Sequence, residues 1–477
     1  MIEKRDFYID GTWVAPLTAR DHHVINPTNE EPCSLISLGS EGDVDRAVAA
    51  ARAAFPTWME TPLEDRVALL EKLIEIYNRR SAEMAEVITL EMGAPIDFST
   101  NLHVAMGTLH MSTFAKVARE YVFEEPLGDH APDSWIIREP VGVCALITPW
   151  NWPMNQVSLK VGAAIVTGNT MILKPSEESP VSAMLLAEMI HEAGFPPGVF
   201  NLVNGDGPGV GTALATHPDV DAISLTGSGR AGKAVSVNAA ETLKRVHLEL
   251  GGKGANLVFA DADDAAVERG VRYMMINSGQ SCIAPSRMIV EESAYDAAVE
   301  TAGKVCETIK VGPANEPGSH IGPVVNKAQF DKIQDLIQSG IDEGARLVAG
   351  GPGRPEGMNR GFFVRPTVFA DVTPDMRIAR EEIFGPVLAM MKFSDEAEAV
   401  QMANDTEFGL ANYIQTSDAE KLKRVSRRLR SGMVEANGVR RGAEAPFGGM
   451  KQSGNGREGG TFGMEDFLEV KVVSGWS

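Results

Sequence analysis

Apolar and polar positions along the chain follow two different periods. Between residues 41 and 92 the apolar side chains recur every three or four positions with charges between them, which predicts amphipathic helices paired as a hairpin. From Val141 onward the pattern changes to short apolar runs, each followed by a helical stretch. Continuous apolar strands that alternate with helices predict a parallel, doubly wound sheet that is buried on both faces.

Two such alternations follow one another. The first predicts strands at 141–148, 170–175, 199–205, 220–227 and 246–252, with helices near 155–167, 179–194, 208–217 and 228–240. The second predicts strands at 256–261, 286–292, 346–351, 362–369, 387–393, 410–416 and 433–438, with helices near 264–278, 293–309, 326–344 and 395–405. Two α/β units in tandem are the simplest interpretation, and ligands of such sheets bind beyond the carboxyl ends of the strands.

Composition and charge exclude several classes of protein. The 477 residues carry 44 basic and 65 acidic side chains, a net charge of −21, which disfavours binding to nucleic acid or to an anionic membrane. The uncharged stretch 141–159 is interrupted by prolines and amides and is not expected to span a membrane. The four cysteines include no C-x-x-C pair, so neither a disulfide framework nor a metal site is expected. No secretory signal is apparent, which makes the cytoplasm the expected compartment.

A glycine-rich turn connects the predicted strand 220–227 to the helix after it. The sequence GSGRAG at 227–232 fits the G-x-G-x-x-G pattern, in which backbone N–H groups and a helix N-terminus hold a pyrophosphate. An ordinary strand-to-helix turn is the alternative. The same fingerprint would make Glu249 a ligand of the adenosine ribose. A better candidate for the ribose ligand is KPSE at 174–177, where Lys174 and Glu177 stand at the end of a strand of the same sheet. The alternative is that KPSE is an ordinary exposed turn.

One cysteine differs from the others in its surroundings. Cys282 lies in an uncharged loop bounded by glycine, before a predicted strand, whereas the other three cysteines stand in apolar or helical segments that suit packing. Glu249, at a strand end followed by two glycines, has the position of a general base. Asn151, held in PWNWP at 149–153, has the amide that an oxyanion needs. Together they predict acyl chemistry through a covalent intermediate.

Seven stretches in register resemble one family, the NAD(P)-dependent aldehyde dehydrogenases. They cover essentially the whole chain and comprise PWNWP (149–153), KPSE (174–177), LTGSGRAGK (225–233), LELGGK (248–253), GQSC (279–282), EEIFGPVL (381–388) and PFGGMKQSGNGREGG (446–460). The resemblance implies oxidation of an aldehyde through a thiohemiacetal and a thioester on Cys282, which water activated by Glu249 then hydrolyses.

The resemblance also implies a role for individual residues. Cys282 would be the nucleophile, Glu249 the base and Asn151 the oxyanion donor, with Lys160 and Glu458 assisting proton handling. The cofactor contacts would be Trp150, Lys174, Ser176, Glu177, Gly227, Ser228, Gly232, Leu250, Glu382 and Phe384. The substrate pocket would be lined by Trp152, Gln156, Leu159, Ser281, Ile283 and Phe447.

The implied architecture has two doubly wound α/β domains and a small β arm. The expected NAD-binding domain comprises residues 1–118 and 139–249, and the catalytic domain comprises residues 250–462. The oligomerisation arm comprises 119–138 and 463–477 and would join subunits into a homodimer or homotetramer, with Arg245, Arg457 and Glu469 tying it to the site. NAD is the expected cofactor rather than NADP, because Glu177 would repel the additional phosphate.

Three alternatives remain open at this point. A relative that passes the thioester to another acceptor is disfavoured because Glu249, the base for water, is present. A catalytically silent binding protein is disfavoured because Cys282, Glu249 and Asn151 are all intact. A carboxylate-bearing semialdehyde would be the substrate if Arg440 or Arg441 recognised its carboxylate, but two solvated arginines at the rim are the simpler interpretation.

Overall fold

Strands and helices alternate along most of the chain. The computed structural model describes residues 1–476. The strands among them are β1 (Ile2–Lys4), β2 (Phe7–Ile9), β3 (Thr12–Val14), β4 (Asp21–Asn26), β5 (Glu31–Ser37), β6 (Glu124–Pro126), β7 (Ser134–Pro140), β8 (Val143–Ile147), β9 (Thr170–Lys174), β10 (Phe200–Leu202), β11 (Ala222–Thr226), β12 (Arg245–Glu249), β13 (Ala255–Val258), β14 (Arg287–Glu291), β15 (Arg346–Ala349), β16 (Thr367–Ala370), β17 (Val387–Phe393), β18 (Ala411–Gln415), β19 (Met433–Ala436), β20 (Gly454–Asn455) and β21 (Leu468–Ser474).

The α-helices of the same residues vary from one turn to five. They are α1 (Glu41–Met59), α2 (Leu63–Arg79), α3 (Ser81–Met92), α4 (Ile96–Phe98), α5 (Ala105–Glu120), α6 (Pro153–Thr167), α7 (Val181–Ala193), α8 (Thr212–Thr216), α9 (Gly229–Ala239), α10 (Ala266–Met275), α11 (Tyr295–Thr308), α12 (Lys327–Asp342), α13 (Arg377–Arg380), α14 (Glu396–Asn404), α15 (Ala419–Arg428) and α16 (Gly460–Glu465).

Five parallel strands form the centre of the first sheet, in the order β12-β11-β8-β9-β10. β20 extends this sheet at one edge, and β2 and β3 extend it at the other, all antiparallel. One face packs against α1, α8 and α9 and the other against α6 and α7, so that β8, β9 and β11 are buried throughout. This is the arrangement that continuous apolar strands predict.

The second sheet has six parallel strands in the order β16-β17-β14-β13-β18-β19, with β15 antiparallel at one edge. The prediction of two α/β units is therefore confirmed. The strand predicted at 362–369 is only partly present, because pairing begins at Thr367, after Pro366, which has no N–H to donate to a ladder.

Two smaller sheets lie outside these units. β21 pairs with β7 along its whole length, and β7 also pairs with β6, which gives a three-stranded arm at the place where the resemblance puts one. β1, β5 and β4 form the other sheet. The domain boundaries themselves stay a prediction. Within residues 1–476, no helix is both long enough and apolar enough to cross a membrane.

Candidate active site

The two large sheets bring three predicted side chains to their carboxyl ends. Asn151 lies in the turn between β8 and α6, and Glu249 is the last residue of β12. Cys282 lies in the loop between α10 and β14 of the second sheet. A carbon atom added at Gly252 would overlap the carbonyl oxygen of Cys282, so the turn after Glu249 packs directly against the cysteine loop.

The cysteine loop is fixed by an unusual backbone. Asn277, Ser278 and Gly279 have φ angles of 55°, 56° and 71°, so three consecutive residues are left-handed. Two of them bear a β-carbon, which is disfavoured in this region and persists only where the surroundings hold it. The Asn277 amide donates to the carbonyl of Asn151 at 2.8 Å, and the Ser278 hydroxyl donates to the carbonyl of Gly322 at 2.7 Å. These bonds position the backbone just before the thiol.

Asn151 is buried, and its side-chain amide donates to the carbonyl of Gln280 at 3.1 Å. Gln280 is two residues before Cys282 and is itself anchored, because its side-chain oxygen accepts from the N–H of Val325 at 2.9 Å. The amide is therefore held beside the cysteine loop, where the role of an oxyanion donor requires it.

The Cys282 thiol lines a pocket but is not activated by its surroundings. Burial raises its pKa to about 12, and the negative charges of Glu382 and Glu249 add to the effect. A thiol with this pKa is protonated at neutral pH, so thiolate formation needs a proton acceptor. The other three cysteines, Cys33, Cys144 and Cys306, are buried, as their apolar surroundings predict.

Glu249 lies at the centre of a buried polar cluster. Its Oε1 is 3.4 Å from Nε2 of His247, while Oε2 has no hydrogen-bond partner among the described residues. Burial raises the pKa of Glu249 well above its ordinary value, and the neighbouring Glu458 carboxylate raises it further. A carboxyl group with a raised pKa is suited to exchanging protons near neutral pH.

Lys160 and Glu458 form an ion pair next to this base. The Lys160 ammonium is fully buried and donates to Glu458 at 2.6 Å and to the hydroxyl of Ser224 at 2.7 Å. On the other side of Glu249, Nδ1 of His247 is 3.2 Å from a carboxylate oxygen of Asp466. Sequence reasoning missed His247 and Asp466, although His247 stands two positions before Glu249 and therefore on the same face of β12.

The predicted cofactor contacts lie along the carboxyl ends of β9, β11 and β12. Ser228 caps α9, its hydroxyl accepting from the N–H of Ala231 at 3.2 Å, and a β-carbon at Gly229 would meet no atom within 4 Å. The helix N-terminus therefore has free space in front of it, which fits a pyrophosphate. Gly232 is required by packing, because a β-carbon there would press on Leu250.

Lys174 and Glu177 meet at the end of β9. The buried Lys174 ammonium donates to the carbonyls of Pro175 at 2.9 Å and Gly205 at 2.5 Å, and it lies 3.7 Å from the Glu177 carboxylate. Glu177 is partly exposed, and the hydroxyl of Ser176 accepts from the N–H of Glu178 at 3.2 Å. A carboxylate held at a strand end by a buried lysine fits a ribose diol.

Two further cofactor candidates, Glu382 and Phe384, lie between α13 and β17 of the second sheet. The Glu382 carboxylate accepts from the N–H of Gly252 at 2.8 Å, and burial raises its pKa. Phe384 has a φ of 58°, and its ring packs edge-on against Trp150 at 5.5 Å. The left-handed backbone is held by Gln329, whose side chain donates to the carbonyl of Phe384 at 2.8 Å. These groups surround the turn that packs on Cys282.

A pocket of about 350 Å³ reaches the cysteine. All six residues predicted to line the substrate pocket are on its wall, together with Cys282 and the residues Leu102, Met106, Leu109, His110, Tyr273, Ile276, Glu435, Arg440 and Arg441. Sequence reasoning missed His110, Tyr273 and Glu435, which come from helices and a strand far apart in the chain. Residues 1–476 contain no group of three or more His, Cys, Asp or Glu side chains arranged for a metal ion.

A cysteine on a pocket wall, with a base and an amide donor from neighbouring strand ends, defines an enzyme of acyl chemistry. Comparison with known proteins agrees with this class. Residues 13–473 match the Aldehyde dehydrogenase family, and the chain belongs to it. The predictions of this family and of an aldehyde-oxidising enzyme are therefore confirmed.

Relatives of known name and structure resemble the chain over its full length. The 3-succinoylsemialdehyde-pyridine dehydrogenase of a Pseudomonas species is 52% identical over 100% of this chain and 99% of its own. A crystal structure of an aldehyde dehydrogenase from Bartonella henselae is 56% identical, with a TM-score of 0.98 over 99% of this chain and 100% of that one. A mutant of aldehyde dehydrogenase C from Pseudomonas syringae, solved with NAD⁺ and octanal, is 48% identical to this chain. Its TM-score is 0.97, and the match covers 99% of this chain and 97% of that one.

Proposed function

We propose that this aldehyde dehydrogenase uses NAD⁺ to oxidise uncharged aldehydes with an apolar body to carboxylic acids. The observation that carries the proposal is the position of Cys282. It lies on the wall of a largely apolar pocket and on the loop that packs against the turn Glu249-Leu-Gly-Gly, which also contacts the cofactor candidate Glu382. The Pseudomonas syringae relative was solved with NAD⁺.

The chain's own residues account for each step of the reaction. Glu249 accepts the proton that leaves the Cys282 thiol, and the sulfur adds to the aldehyde carbon to form a thiohemiacetal. Asn151 and the N–H of Cys282 stabilise the oxygen that becomes negative. Bound NAD⁺ supplies the acceptor for the hydride. Once Glu249 has released the thiol proton to solvent, it takes a proton from water as the water oxygen attacks the thioester carbon, and the acid leaves as the C–S bond breaks and the sulfur departs as a thiolate.

Lys160 and Glu458 support the base rather than the substrate. The fully buried ammonium of Lys160 pairs with Glu458 and lowers the pKa of Glu249, which burial and the Glu458 carboxylate raise. Glu249 is retained here as the base for water, which favours hydrolysis over transfer of the acyl group to another acceptor.

The lining of the pocket favours an apolar substrate body. Leu102, Leu109, Trp152 and Phe447 contribute to a wall that is mostly hydrocarbon. The names of the relatives agree with this chemistry, since one includes a pyridine ring and another was solved with octanal. A carboxylate-bearing semialdehyde is the second candidate, supported by two arginines at the rim, but both arginines are already engaged with a carboxylate of the chain.

We also propose a homodimer or homotetramer joined through the arm, located in the cytoplasm. Strand β21 is an edge of its sheet, and the side chains of Val470, Val472 and Trp476 are 70%, 63% and 45% exposed. An apolar edge strand of this kind favours pairing with another subunit. The four cysteines are all free, which fits a reducing compartment.

The test of the proposed function separates its two chemical steps. In Glu249→Gln, steady-state turnover should fall by about a hundredfold or more while the burst of NADH is slowed much less, because hydrolysis depends on this base whereas the Cys282 thiol can also lose its proton to solvent. Stopped-flow absorbance with octanal and NAD⁺ measures both rates. Cys282→Ala should show neither burst nor turnover. Full turnover by Cys282→Ala would refute the nucleophile, and a burst slowed as much as the steady state would refute the role of Glu249 in hydrolysis.

A further inference from the structure

Two arginines and one glutamate form a cluster at the rim of the substrate pocket. Arg441 donates to a carboxylate oxygen of Glu435 at 3.2 Å, and the Arg440 guanidinium lies 3.7 Å from the other oxygen. All three residues line the pocket that contains Cys282. Glu435 belongs to β19, the edge strand of the second sheet, so its backbone is held by the ladder with β18.

Aromatic rings hold the same guanidinium groups from their other faces. The Arg440 guanidinium carbon lies 3.5 Å from the centre of the Tyr273 ring, and that of Arg441 lies 4.8 Å from the centre of the Phe447 ring. Stacking of this kind keeps a guanidinium in one orientation. The side chains of Arg440 and Arg441 are therefore held in one orientation at the wall of the pocket.

The charges at the rim are nearly balanced by this arrangement. The Glu435 side chain is only 9% exposed, while those of Arg440 and Arg441 are 51% and 32% exposed. Glu435 thus accepts a hydrogen bond from Arg441 and lies near the guanidinium of Arg440, and the remaining positive charge is that of Arg440, which is half exposed. A second ion pair at the mouth, between Lys116 and Glu444, is balanced and exposed. His110 adds no charge, because burial lowers its pKa to about 4.

We infer that Glu435 is a specificity-determining residue, an internal carboxylate that occupies the arginine site and so excludes aldehydes bearing a carboxylate of their own. An incoming carboxylate must displace Glu435 from Arg441 and leave it buried without a partner, which costs free energy. An uncharged apolar aldehyde needs no such exchange. The inference rests on the proposed function and explains how a pocket with two arginines selects a neutral substrate.

The test compares benzaldehyde with 4-carboxybenzaldehyde, which differ only by a carboxylate opposite the reacting group. The ratio of their kcat/KM values cancels any change in the reactivity of Cys282, to which Arg441 contributes a small electrostatic effect. In Glu435→Gln the ratio should move toward the carboxylated aldehyde by about tenfold, because Arg441 gains a free charge-assisted donor pair. Glu435→Ser should move it in the same direction.

Glu444→Gln is the matched control, since it removes the same charge from the neighbouring loop without touching either arginine. It should change the ratio by less than about twofold, as expected of an exposed charge. Arg441→Gln should leave the ratio unchanged in the wild-type background and should abolish the gain in the Glu435→Gln background. These results would support an arginine site filled by Glu435.

Three outcomes would overturn the inference. They are an unchanged ratio in both Glu435 variants, an equal shift in Glu444→Gln, and a gain that survives loss of Arg441. Turnover of benzaldehyde distinguishes the two proposals, because a wild-type enzyme that oxidises neither aldehyde would refute the proposed function as well. Benzaldehyde turnover by the variants also shows that they are folded.

Discussion

Cys282 has the position of a nucleophile, but its thiol is mostly protonated at neutral pH. Burial, assisted by Glu382 and Glu249, raises the pKa of the thiol to about 12, so that a small fraction is ionised at neutral pH. Because the thiolate fraction grows with pH below the pKa, alkylation of the free enzyme by iodoacetamide should accelerate about tenfold for each pH unit from 7 to 9. The rate at which iodoacetamide labels the enzyme at each pH measures this acceleration. Cys282→Ala is labelled in parallel, so that the reaction of the other cysteines can be subtracted. A plateau below pH 8 would contradict it.

Glu177 should decide between the two nicotinamide cofactors. Its carboxylate is held 3.7 Å from the buried Lys174 ammonium, where a ribose phosphate would meet its charge. Glu177→Gln should raise the ratio of kcat/KM for NADP⁺ over NAD⁺ by about tenfold or more, the effect of removing one like charge at close range. Steady-state kinetics with both cofactors measures the ratio. Glu178→Gln, one position on, is the matched control, and an equal change there would refute a specific role.

The sequence alone brings out the three residues that we propose to react but not all the groups that surround them. Cys282, Glu249 and Asn151 stand in short glycine- and proline-bounded stretches whose local chemistry is readable. His247 and Asp466 meet across 219 positions, and Glu435 and Arg441 meet through the return of the chain after β19. Contacts of this kind depend on strand order and on side-chain direction, neither of which leaves a local signature.

At the scale of elements, the apolar runs predict the central strands well and the short or irregular elements poorly. Helix α5 follows a π-helical turn at Ser99–Val104, and the apolar pattern of residues 93–140 predicts neither. Strands β1 to β3 have three residues each, too few to show alternation. Helix α15 is so highly charged that Val425 is its one fully buried side chain among the described residues.

Position 252, in the turn after β12, should be intolerant of any side chain. A β-carbon at Gly252 would overlap the carbonyl oxygen of Cys282, so Gly252→Ala must push the cysteine loop away from Glu249 and Asn151. A displacement of this order should lower kcat by about a hundredfold while the protein stays folded. Turnover and thermal unfolding measure the two effects. Gly211→Ala, where the nearest atom is at an ordinary 3.6 Å, should change neither, and a fully active Gly252→Ala would show that the loop adapts.

At the scale of the whole molecule, the arm is tied to the first sheet rather than hanging free. Arg245, the first residue of β12, donates to the carbonyl of Leu468 at 2.6 Å and to the carboxylate of Glu469 at 2.7 Å. Asn169 donates to the carbonyl of Phe467 at 2.9 Å. The exposed apolar residues of β21 are thereby presented in a fixed orientation, as an interface between subunits requires.

Charge placed on the outer edge of the arm should therefore separate the subunits. Lysine at both Val470 and Val472 should lower the molar mass measured by light scattering after gel filtration, because two buried charges oppose association. Leu347→Lys, on the exposed edge strand β15 of the other sheet, should leave the mass unchanged. An assembly that survives the double substitution would show that the subunits associate elsewhere.

The pairing of Lys160 with Glu458 links the beginning of the site to the end of the chain. The two residues are 298 positions apart, and the Gly454–Asn455 strand beside Glu458 also completes the first sheet. At ordinary rates of synthesis about 15 to 60 s separate them on the ribosome. Until then the buried Lys160 lacks the carboxylate to which it donates, so we expect the nascent first unit to stay accessible to water and to proteases, which limited proteolysis of stalled chains would show. Assembly of the candidate site thus waits until the chain has been synthesised as far as Glu458.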